Sequence, residues 1–405
     1  MRSSGNPADV RRARNATLLV FTINGVAFAS WMARVPDVRE ILGLTPGQLG
    51  VLLLALSVGS LGGLPAAGWV AHRLGATATV RLGMAAALPG ILLAALAVQA
   101  HLSMYAVMPA LFLLGLGVGM WDVAQNLEGT IVEQALNRSI MPWFHAGFSG
   151  GTVVGALVGA LLTWLEVPIG LHLAVVVALS LALGWWATGA FLPAFDESSA
   201  TPGTSARGRS AWTEPRTLLI GVMVLAAGFT EGTANDWMAV AFVDGHGVSN
   251  AMGVLALAVF LSFMTAGRIL GTHLLDRYGR VTVLRILFTL ALIGCALVVF
   301  GTPVLAYVGA ALWGVGASLG FPVGVSAASD DPAKAPMRLS VVSTIGYGSF
   351  LVGPPLIGFL GDLVGILPAL LAVGAMSLVA IALVPVARPL PGNEPTNDAP
   401  AGNRR

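Results

Sequence analysis

The chain has 405 residues, of which 56% are apolar and 10% charged, whereas about 25% of the residues in an ordinary soluble domain are charged. With a mean hydropathy of +0.84, this composition excludes a water-soluble globule and indicates that most of the protein faces a lipid bilayer. The net charge of +2 favours neither nucleic acid nor an acidic partner until the charges are placed along the chain.

Twelve apolar segments follow one another, each close to the 20 or so residues that a helix needs to cross a bilayer. Numbered as spans 1 to 12, they lie at 16–33, 48–71, 80–99, 103–126, 142–163, 171–192, 217–240, 249–275, 282–300, 303–327, 339–361 and 366–387. The sequence therefore predicts an all-α membrane protein with twelve transmembrane helices.

Hydrophilic residues divide these spans into two groups of six. The predicted bundles are residues 1–192 and 217–387, joined by a flexible linker at 193–216 that is rich in Ser, Gly and Arg. Residues 388–405 have no apolar face to bury, so we predict a disordered tail.

Basic residues predict the orientation. All but three of the 21 Lys and Arg residues fall on the same side of the membrane as the N-terminus. The exceptions are Arg34, Arg39 and Arg268. Because Lys and Arg are retained in the cytoplasm during insertion, we predict that both termini and the linker are cytoplasmic. The N-terminus also resembles a signal peptide, but cleavage would leave eleven spans, so we expect span 1 to be retained.

The two halves share a sequence pattern. Span 1 and span 7 both carry Phe-Thr, then Gly, then Trp-Met-Ala, beginning at Phe21 and Trp31 in the first half and at Phe229 and Trp237 in the second. The halves are thus predicted to be pseudo-symmetric. Repeated bundles of this kind place a substrate site at their interface near mid-membrane, and one half rocks against the other to alternate access.

A related motif follows spans 2 and 8. The motif has the pattern Gly-x-x-x-Asp-Arg-x-Gly-Arg. The second copy matches it at Asp276, Arg277, Gly279 and Arg280 but has Thr272 in place of the first glycine. The first copy keeps Gly68, Arg73 and Gly75 and has His72 in the acidic position. With the twelve spans, these loops resemble the major facilitator superfamily over almost the whole chain. The resemblance implies that the acid and the arginine latch neighbouring helices on the cytoplasmic side, and the first copy lacks the acid.

Four stretches, at 24–36, 121–129, 144–149 and 231–268, are similar to the YbjJ-like branch of that family and, more distantly, to the fucose-proton symporter. The YbjJ-like branch consists of bacterial inner-membrane proteins, so the resemblance implies a location in the bacterial inner (plasma) membrane. In the symporter an acid in span 4 takes part in proton coupling, and Asp122 matches its position. The acid that the symporter carries in span 1 has no clear counterpart, so the resemblance does not support a mechanism with two carboxylates.

Asp122 is also a candidate on physical grounds. A carboxylate at membrane depth costs about 2.5–3.5 kcal/mol on insertion scales, so Asp122 is expected to face a wet cavity, pair with a cation or stay protonated. We predict that it binds the coupled proton. The alternative is a structural hydrogen bond by Asp122, with Glu128 and Glu133 among the lipid headgroups.

Three further side chains are predicted to tune this proton. Arg268, within span 8, needs an acid, a substrate anion or carbonyl groups as its partner, and either Asp122 or Glu231 fits; a fixed structural ion pair is the alternative. His145, about one turn into span 5, titrates near neutral pH, although a lone histidine also serves as a structural hydrogen-bonding group.

Amide and aromatic side chains are the candidates for solute binding. In span 1, spacings of four and three place Asn24, Phe28 and Trp31 on one helix face, a combination that suits a polyol or sugar and equally suits helix packing or an interfacial tryptophan belt. The other candidates are Asn126, which shares a face with Asp122, then Asn235 beside Glu231, Trp237 and Tyr347.

Small residues predict close contacts. Gly151, Gly155 and Gly159 repeat every four residues in span 5, as in closely packed membrane helices. Gly353, Pro354 and Pro355, with Gly358, interrupt the apolar pattern of span 11 and predict close packing and a helix kink.

The leading hypothesis is a secondary active transporter that couples the uptake of a small polar solute, such as a sugar-like molecule, to protons. A proton-coupled exporter of a metabolite or toxic compound is the first alternative, and a non-transporting membrane sensor or scaffold is the second. The only cysteine is Cys295, and no nucleotide-binding loop, nucleophile elbow or metal cluster is found. We therefore expect no enzyme activity, catalytic residue, metal or cofactor; the expected partners are the bilayer, protons and the solute, without nucleic acid, and the protein is expected to be a monomer.

Overall fold

The computed structural model describes residues 7–138, 140–192, 211–331 and 334–390. Most of the predicted linker (193–210), most of the predicted tail (391–405) and the first six residues lie outside the described residues. The predictions made for them are therefore not tested.

Ten helices of the described chain are long and apolar enough to cross a membrane, and two of them each make two crossings. Span 1 is Pro7–Met32, spans 2 and 3 are the two parts of Pro46–Gln99, and spans 4, 5 and 6 are Met104–Leu136, Met141–Trp164 and Ile169–Thr188. Span 7 is Pro215–Val240, spans 8 and 9 are the two parts of Asn250–Phe300, span 10 is Pro303–Ala317 with Gly320–Ala328, span 11 is Ala335–Val364, and span 12 is Ile366–Ala369, Leu371–Leu383 and Val384–Ala387. The prediction of twelve spans in two bundles is confirmed.

A single glycine divides each of the two longest helices. Gly75 has φ 79° and Gly279 has φ 75°, values that glycine adopts without the steric cost of a Cβ atom. Both are the glycines of the repeated loop motif, so the shared form of the turn explains why that residue type recurs in the two halves.

The helices begin at recognisable caps. Thr45 forms a capping box with Gln48 at the start of span 2, and the hydroxyl of Ser249 accepts a hydrogen bond from the Met252 amide at the start of span 8. Span 4 extends ten residues beyond its predicted end, to Leu136, where Asn137 adopts a left-handed conformation (φ 48°). Such caps fix the helix ends more sharply than hydropathy does.

One feature differs from the sequence prediction. A short helix, Val35–Leu42, lies between spans 1 and 2. Span 11 is one helix, Ala335–Val364, with Pro354 and Pro355 inside it; the close packing predicted there is confirmed, and the kink stays a prediction. Gly50 of span 2 approaches the Pro354 carbonyl so closely that a Cβ atom at Gly50 would lie 2.6 Å from that oxygen, and this packing holds span 11 in place.

Small residues form the contacts within each half, as predicted. Gly151 and Gly155 of span 5 pack against the carbonyls of Thr22 and Val26 in span 1, and Gly159 packs against Ala33. Spans 2 and 3 pack on span 4, and spans 8 and 9 pack in the same way on span 10. The halves meet where span 2 contacts span 11 and where span 5 contacts span 8.

The bundle has two faces. The linker face carries the start of span 1, the loops at Gly75 and Gly279 and the start of span 7; the opposite face carries Val35–Leu42 and the start of span 8. The space between the halves opens onto one or other of these faces, and the side chains that line it form the candidate site.

Candidate functional site

Asp122 lies near the middle of span 4 and is half-buried. Its Oδ1 accepts hydrogen bonds from Gln125 Nε2 at 3.1 Å and Asn126 Nδ2 at 3.4 Å, and the Asn126 amide also donates to the Asp122 carbonyl at 2.8 Å. The helix spacings of three and four bring these side chains together. The carboxyl group is therefore held by amides and remains accessible.

Arg268 is paired with Glu231. Its Nη2 donates to Glu231 Oε1 at 2.7 Å, and its Nε donates to the Ser318 carbonyl at 3.2 Å. That carbonyl is available because the residue four positions further on is Pro322, which has no N–H to donate to it. Of the two acids expected as partners of Arg268, the structure selects Glu231.

The predicted proton-coupling residues from both halves surround one space. Asp122 interacts electrostatically with His145 and with Tyr347, and His145 also interacts with Arg268. Asp122 and His145 belong to the first half, whereas Arg268 and Tyr347 belong to the second. All of these side chains, and that of Glu231, keep accessible surface, and we call the space among Asp122, His145, Glu231, Arg268 and Tyr347 the central cavity.

Aromatic rings form part of the wall of this cavity. The Tyr347 ring lies 6.2 Å from that of Phe321 and 6.3 Å from that of Phe350. The exposed ring of His145 meets Phe21 edge to face, with 5.4 Å between the centroids. Together with the carboxyl, amide and guanidinium groups, these rings provide both polar and apolar contacts for a small molecule.

The candidate solute-binding residues fall into two groups. Phe28, Asn126 and Asn235 are half-buried, as expected of side chains beside a cavity. Trp31 and Trp237 are 1% and 0% exposed and belong to the packed core. The interfacial-belt alternative for Trp31 is therefore wrong, and neither indole presents a face to the cavity.

Asn24 needs a separate explanation. It is 1% exposed, and neither atom of its amide has a hydrogen-bond partner among the described residues. Because an unpaired buried amide is costly, Asn24 is a candidate for binding water or solute in another conformation.

Two acids have surroundings that the sequence did not indicate. Asp236 is half-buried next to Trp237, and within the described chain it has no hydrogen bond or ion pair. Glu128 is 0% exposed, so its expected place among the headgroups is wrong. A carboxyl group inside an apolar segment was the available signal in both cases, but the direction in which a residue faces depends on how the helices pack.

The opposite face is closed by hydrogen bonds between the halves. Arg39 Nη1 lies 2.6 Å from Asp244 Oδ1, and Asn250 Nδ2 donates to Asp37 Oδ1 at 2.8 Å and to Glu40 Oε2 at 2.7 Å. We call these five residues the gate. Together with the turns before spans 6 and 8, they line a cavity of about 940 Å³ between the halves on the opposite face.

The gate helix, Val35–Leu42, is fixed to its own half by Arg34. This side chain is 2% exposed; it pairs with Asp37 at 2.7 Å and donates to His172 Nδ1 at 2.9 Å and to the Val167 carbonyl at 3.0 Å. The gate helix is therefore attached to span 6 and the turn before it, in the first half.

The linker face differs from the opposite face in the hydrogen bonds that join the two halves. In the described ranges, the hydrogen bonds that join the halves are those of the gate and a contact from Thr45 to Asp362 at 3.3 Å, also on the opposite face. Arg280 pairs with Asp330 at 2.6 Å, within the second half, while Arg277 lies over Tyr278 and Arg73 over Trp69. The described conformation is thus closed at the opposite face, and no such bond between described residues joins the halves at the linker face.

Glu214, immediately before span 7, belongs to an ion-pair group on the linker face. Arg338 Nε donates to Glu214 Oε2 at 2.6 Å, and Lys334 lies 3.8 Å from its other oxygen. The hydrogen bond from Arg338 lowers the pKa of the Glu214 carboxyl below its usual value. This acid therefore stays ionised and links spans 7 and 11.

Comparison with known proteins agrees with this architecture. The sequence profile of the Major Facilitator Superfamily matches residues 16–331 and 237–405. An uncharacterized transporter, y4wD, of Sinorhizobium fredii (strain NBRC 101917 / NGR234) is 33% identical over 371 residues, which cover 90% of this chain and 96% of the relative.

Solved structures share the fold at low sequence identity. A point mutant of the nucleoside transporter NupG has a TM-score of 0.77 at 15% identity, and the match covers 93% of this chain and 100% of that one. A variant of the E. coli fucose:proton symporter, FucP, has a TM-score of 0.59 at 17% identity, with 92% of this chain and 99% of that one covered.

The protein is therefore a multi-pass membrane transporter rather than an enzyme. The chain belongs to the Major Facilitator Superfamily. The predicted resemblance to the superfamily is confirmed, and its assignment to the YbjJ-like branch stays a prediction.

Proposed function

We propose that this transporter couples the uptake of a small polar, sugar-like solute to the entry of protons by alternating access. The observation that carries the proposal is the central cavity, where an accessible carboxyl group on span 4 is surrounded by titratable and charged groups from both halves. A proton bound there changes the charge at the interface between the halves, which is where movement has to be controlled.

Asp122 is the proton-binding group in this proposal. The Glu231–Arg268 ion pair is the charged partner on the second half, and His145 interacts electrostatically with both Asp122 and Arg268. The groups available to a solute are the amides of Asn126 and Asn235, the Tyr347 hydroxyl and the ring of Phe28. Asn24 contributes to solute binding when its side chain takes another conformation, whereas Trp31 and Trp237 belong to the packed core.

The arginine distribution indicates that the linker face is cytoplasmic. With the gate closed and no hydrogen bond between described residues joining the halves at the linker face, this conformation is then the one that releases solute and proton to the cytoplasm. The driving force is sufficient, because one charge crossing 100 mV yields about 2.3 kcal/mol, enough for a concentration ratio of about fifty.

The test is Asp122→Asn, which removes the titratable group and keeps its size. A thermal-shift panel of sugars, sugar acids, nucleosides and amphiphiles first identifies a solute that stabilises the purified protein. We expect the variant to lose proton-driven uptake of that solute into proteoliposomes while counterflow exchange survives. Asp9→Asn, which removes a charge from the first turn of span 1, is the matched control.

Two outcomes contradict the proposal. Driven uptake that is unchanged in Asp122→Asn removes Asp122 from coupling. Acidification of the outer medium when the solute is added to proteoliposomes, in place of alkalinisation, shows export by antiport.

A further inference from the structure

Glu128 is a buried acid to which the proposed mechanism gives no role. It lies six residues after Asp122 on span 4 and is 0% exposed. Its Oε1 accepts a hydrogen bond from the Leu192 amide, just after span 6, at 2.9 Å, whereas its Oε2 has no partner among the described residues. Within the described part of the chain, no charged side chain interacts with it.

These surroundings favour the neutral acid. An ionised carboxylate without a cation and with one hydrogen bond is expensive to bury, whereas the protonated group needs only one acceptor for its O–H. The structure offers such an acceptor one turn earlier on the same helix. Gln125 is also 0% exposed, its Oε1 has no partner in the described ranges, and its Nε2 donates to Asp122 Oδ1 at 3.1 Å.

We propose that Glu128 is a second proton-carrying carboxyl group, coupled to Asp122 through the amide of Gln125. Residues three apart on a helix are neighbours, so an O–H on Glu128 Oε2 reaches Gln125 Oε1 directly or through one water molecule. This hydrogen bond satisfies both of the unpaired buried atoms. The inference rests on the proposed function, because it assigns a partner to the same proton site.

The Gln125 amide links the protonation states of the two acids, so that one is protonated while the other is ionised. While Asp122 is ionised, Gln125 donates to it and accepts from protonated Glu128. When Asp122 gains a proton, a new O–H bond forms on its carboxyl group and donates to the Gln125 carbonyl, so the amide turns over and its NH2 faces Glu128. The O–H bond of Glu128 then breaks, its proton passes to a water molecule on the side of the linker face, and the carboxylate that remains accepts a hydrogen bond from the Gln125 NH2.

One proton therefore enters at Asp122 and one leaves from Glu128, while Gln125 stays neutral. The release point is about 9 Å of helix rise closer to the linker face than Asp122. Besides Gln125 and Asn126, Asp122 faces His145 and Tyr347, which tune its proton affinity on the cavity side. The protons thus have a path that is separate from the solute path.

The experiment is a pH titration of the purified full-length protein by infrared difference spectroscopy, with protons as the only ligand. We expect a band from a protonated carboxyl group that Glu128→Gln removes and the matched control Glu133→Gln, on the same helix, leaves in place. Asp122→Asn mimics the protonated acid, so it turns the Gln125 amide towards Glu128. We expect it to move the midpoint of the Glu128 band to lower pH by about one unit or more, a tenfold or larger change in proton affinity.

Gln125→Leu isolates the coupling, because it removes both hydrogen-bonding groups and keeps a similar volume. In that background Asp122→Asn is expected to leave the Glu128 midpoint unchanged. If Glu128→Gln does not fold, Glu128→Asp assigns the band by shifting it.

The inference is overturned if Glu128 gives no protonated band in the titration, or if Asp122→Asn leaves its midpoint in place in the otherwise unaltered protein. With either result, the proposed function is still supported if Asp122→Asn abolishes driven uptake. Unchanged uptake in Asp122→Asn, together with a shifted Glu128 band, contradicts the proposed function alone.

Discussion

At the scale of single residues, the charge of Arg268 is compensated inside its own half of the protein. Glu231 and the Ser318 carbonyl occupy two of its donors, and the two charged side chains are 29% and 18% exposed. Among the described residues, Arg268 is therefore bonded within its own half and not to Asp122. A bond to Asp122 would instead join the two halves.

Removing the acid of this pair tests its contribution to stability. Glu231→Gln leaves the guanidinium with a weaker acceptor, and because hydrogen bonds to charged groups contribute about 1.5–3 kcal/mol, we expect the apparent Tm in detergent to fall by several degrees. Lys334→Gln breaks an ion pair in which Lys334 is 52% exposed and is expected to change the Tm little. A Glu231→Gln protein as stable as the unaltered one would show that the pair has no structural role.

Glu214 gives a prediction about pH. Because Arg338 lowers its pKa in the folded protein, ionised Glu214 stabilises the fold above the pKa of an unfolded glutamate, about 4.3. This stabilisation disappears as the pH falls through the lower folded value. In thermal unfolding followed from about pH 7 to about pH 3, we expect Glu214→Gln to be less stable at neutral pH and the difference to vanish at the acid end.

The control for this titration is Glu166→Gln, on an exposed turn of the opposite face. It is expected to show no difference that depends on pH. A Glu214→Gln difference that stays constant down to the acid end would mean that the ion pair does not contribute.

At the scale of elements, the gate helix is the part that joins the halves at the opposite face. Asp37, Arg39 and Glu40 extend from a helix of eight residues, and Arg34 ties that helix to span 6 and the turn before it. The contacts of the gate to Asp244 and Asn250 have to break before the opposite face can open. Their strength therefore sets the balance between the two conformations.

Weakening the gate should favour the conformation that opens at the opposite face. Partly exposed charged contacts contribute up to about 1 kcal/mol each, so Arg39→Ala with Asn250→Ala is expected to shift the equilibrium by about 5- to 30-fold. Spin labels at Ser103→Cys and Thr302→Cys, which precede spans 4 and 10 on the opposite face, measure the separation of the halves. The native Cys295 is 1% exposed and should not react.

In this measurement, a population with a longer distance between the labels is expected to appear in the double variant. Lys334→Ala, on the linker face, is the control and should keep the original distribution. If the double variant keeps it too, the gate does not hold the halves together.

At the scale of the whole molecule, topology and charge distribution together define the orientation. Twelve crossings bring both ends of the described chain to the linker face, and Arg73, Arg277 and Arg280 lie in the loops of that face. The opposite face carries Arg34 and Arg39, each paired with an acid. We therefore expect the linker face to remain in the cytoplasm.

Cysteine labelling in intact bacterial cells tests this orientation. Glu166→Cys, on the opposite face, should react with a membrane-impermeant maleimide added outside. Lys334→Cys, on the linker face, should react only after the cells are permeabilised. The reverse pattern would place the termini outside and make the described conformation outward-open.

Much of the fold could be predicted from the sequence, because the need to bury apolar segments in lipid acts locally along the chain. The twelve spans, the repeat and the small-residue packing of span 5 all follow from local patterns. The helix Val35–Leu42 does not, because it is short and amphipathic, so hydropathy does not separate it from a loop. Pro354 predicts a kink by its residue type, whereas its contact with Gly50 of span 2 depends on how the two halves pack.

For the candidate site, residue types alone identify the unusual positions: Asp122, Glu231 and Arg268 are ionisable groups inside apolar segments, and such groups need partners. Only the packed helices show how these positions are used: Arg268 pairs with Glu231, Trp31 lies in the core, and Glu128 is buried beside span 6. Hydropathy depends on residue type along the chain, whereas partners depend on the rotation of each helix about its axis and its register with its neighbours. Those are set by the packing of all twelve spans together.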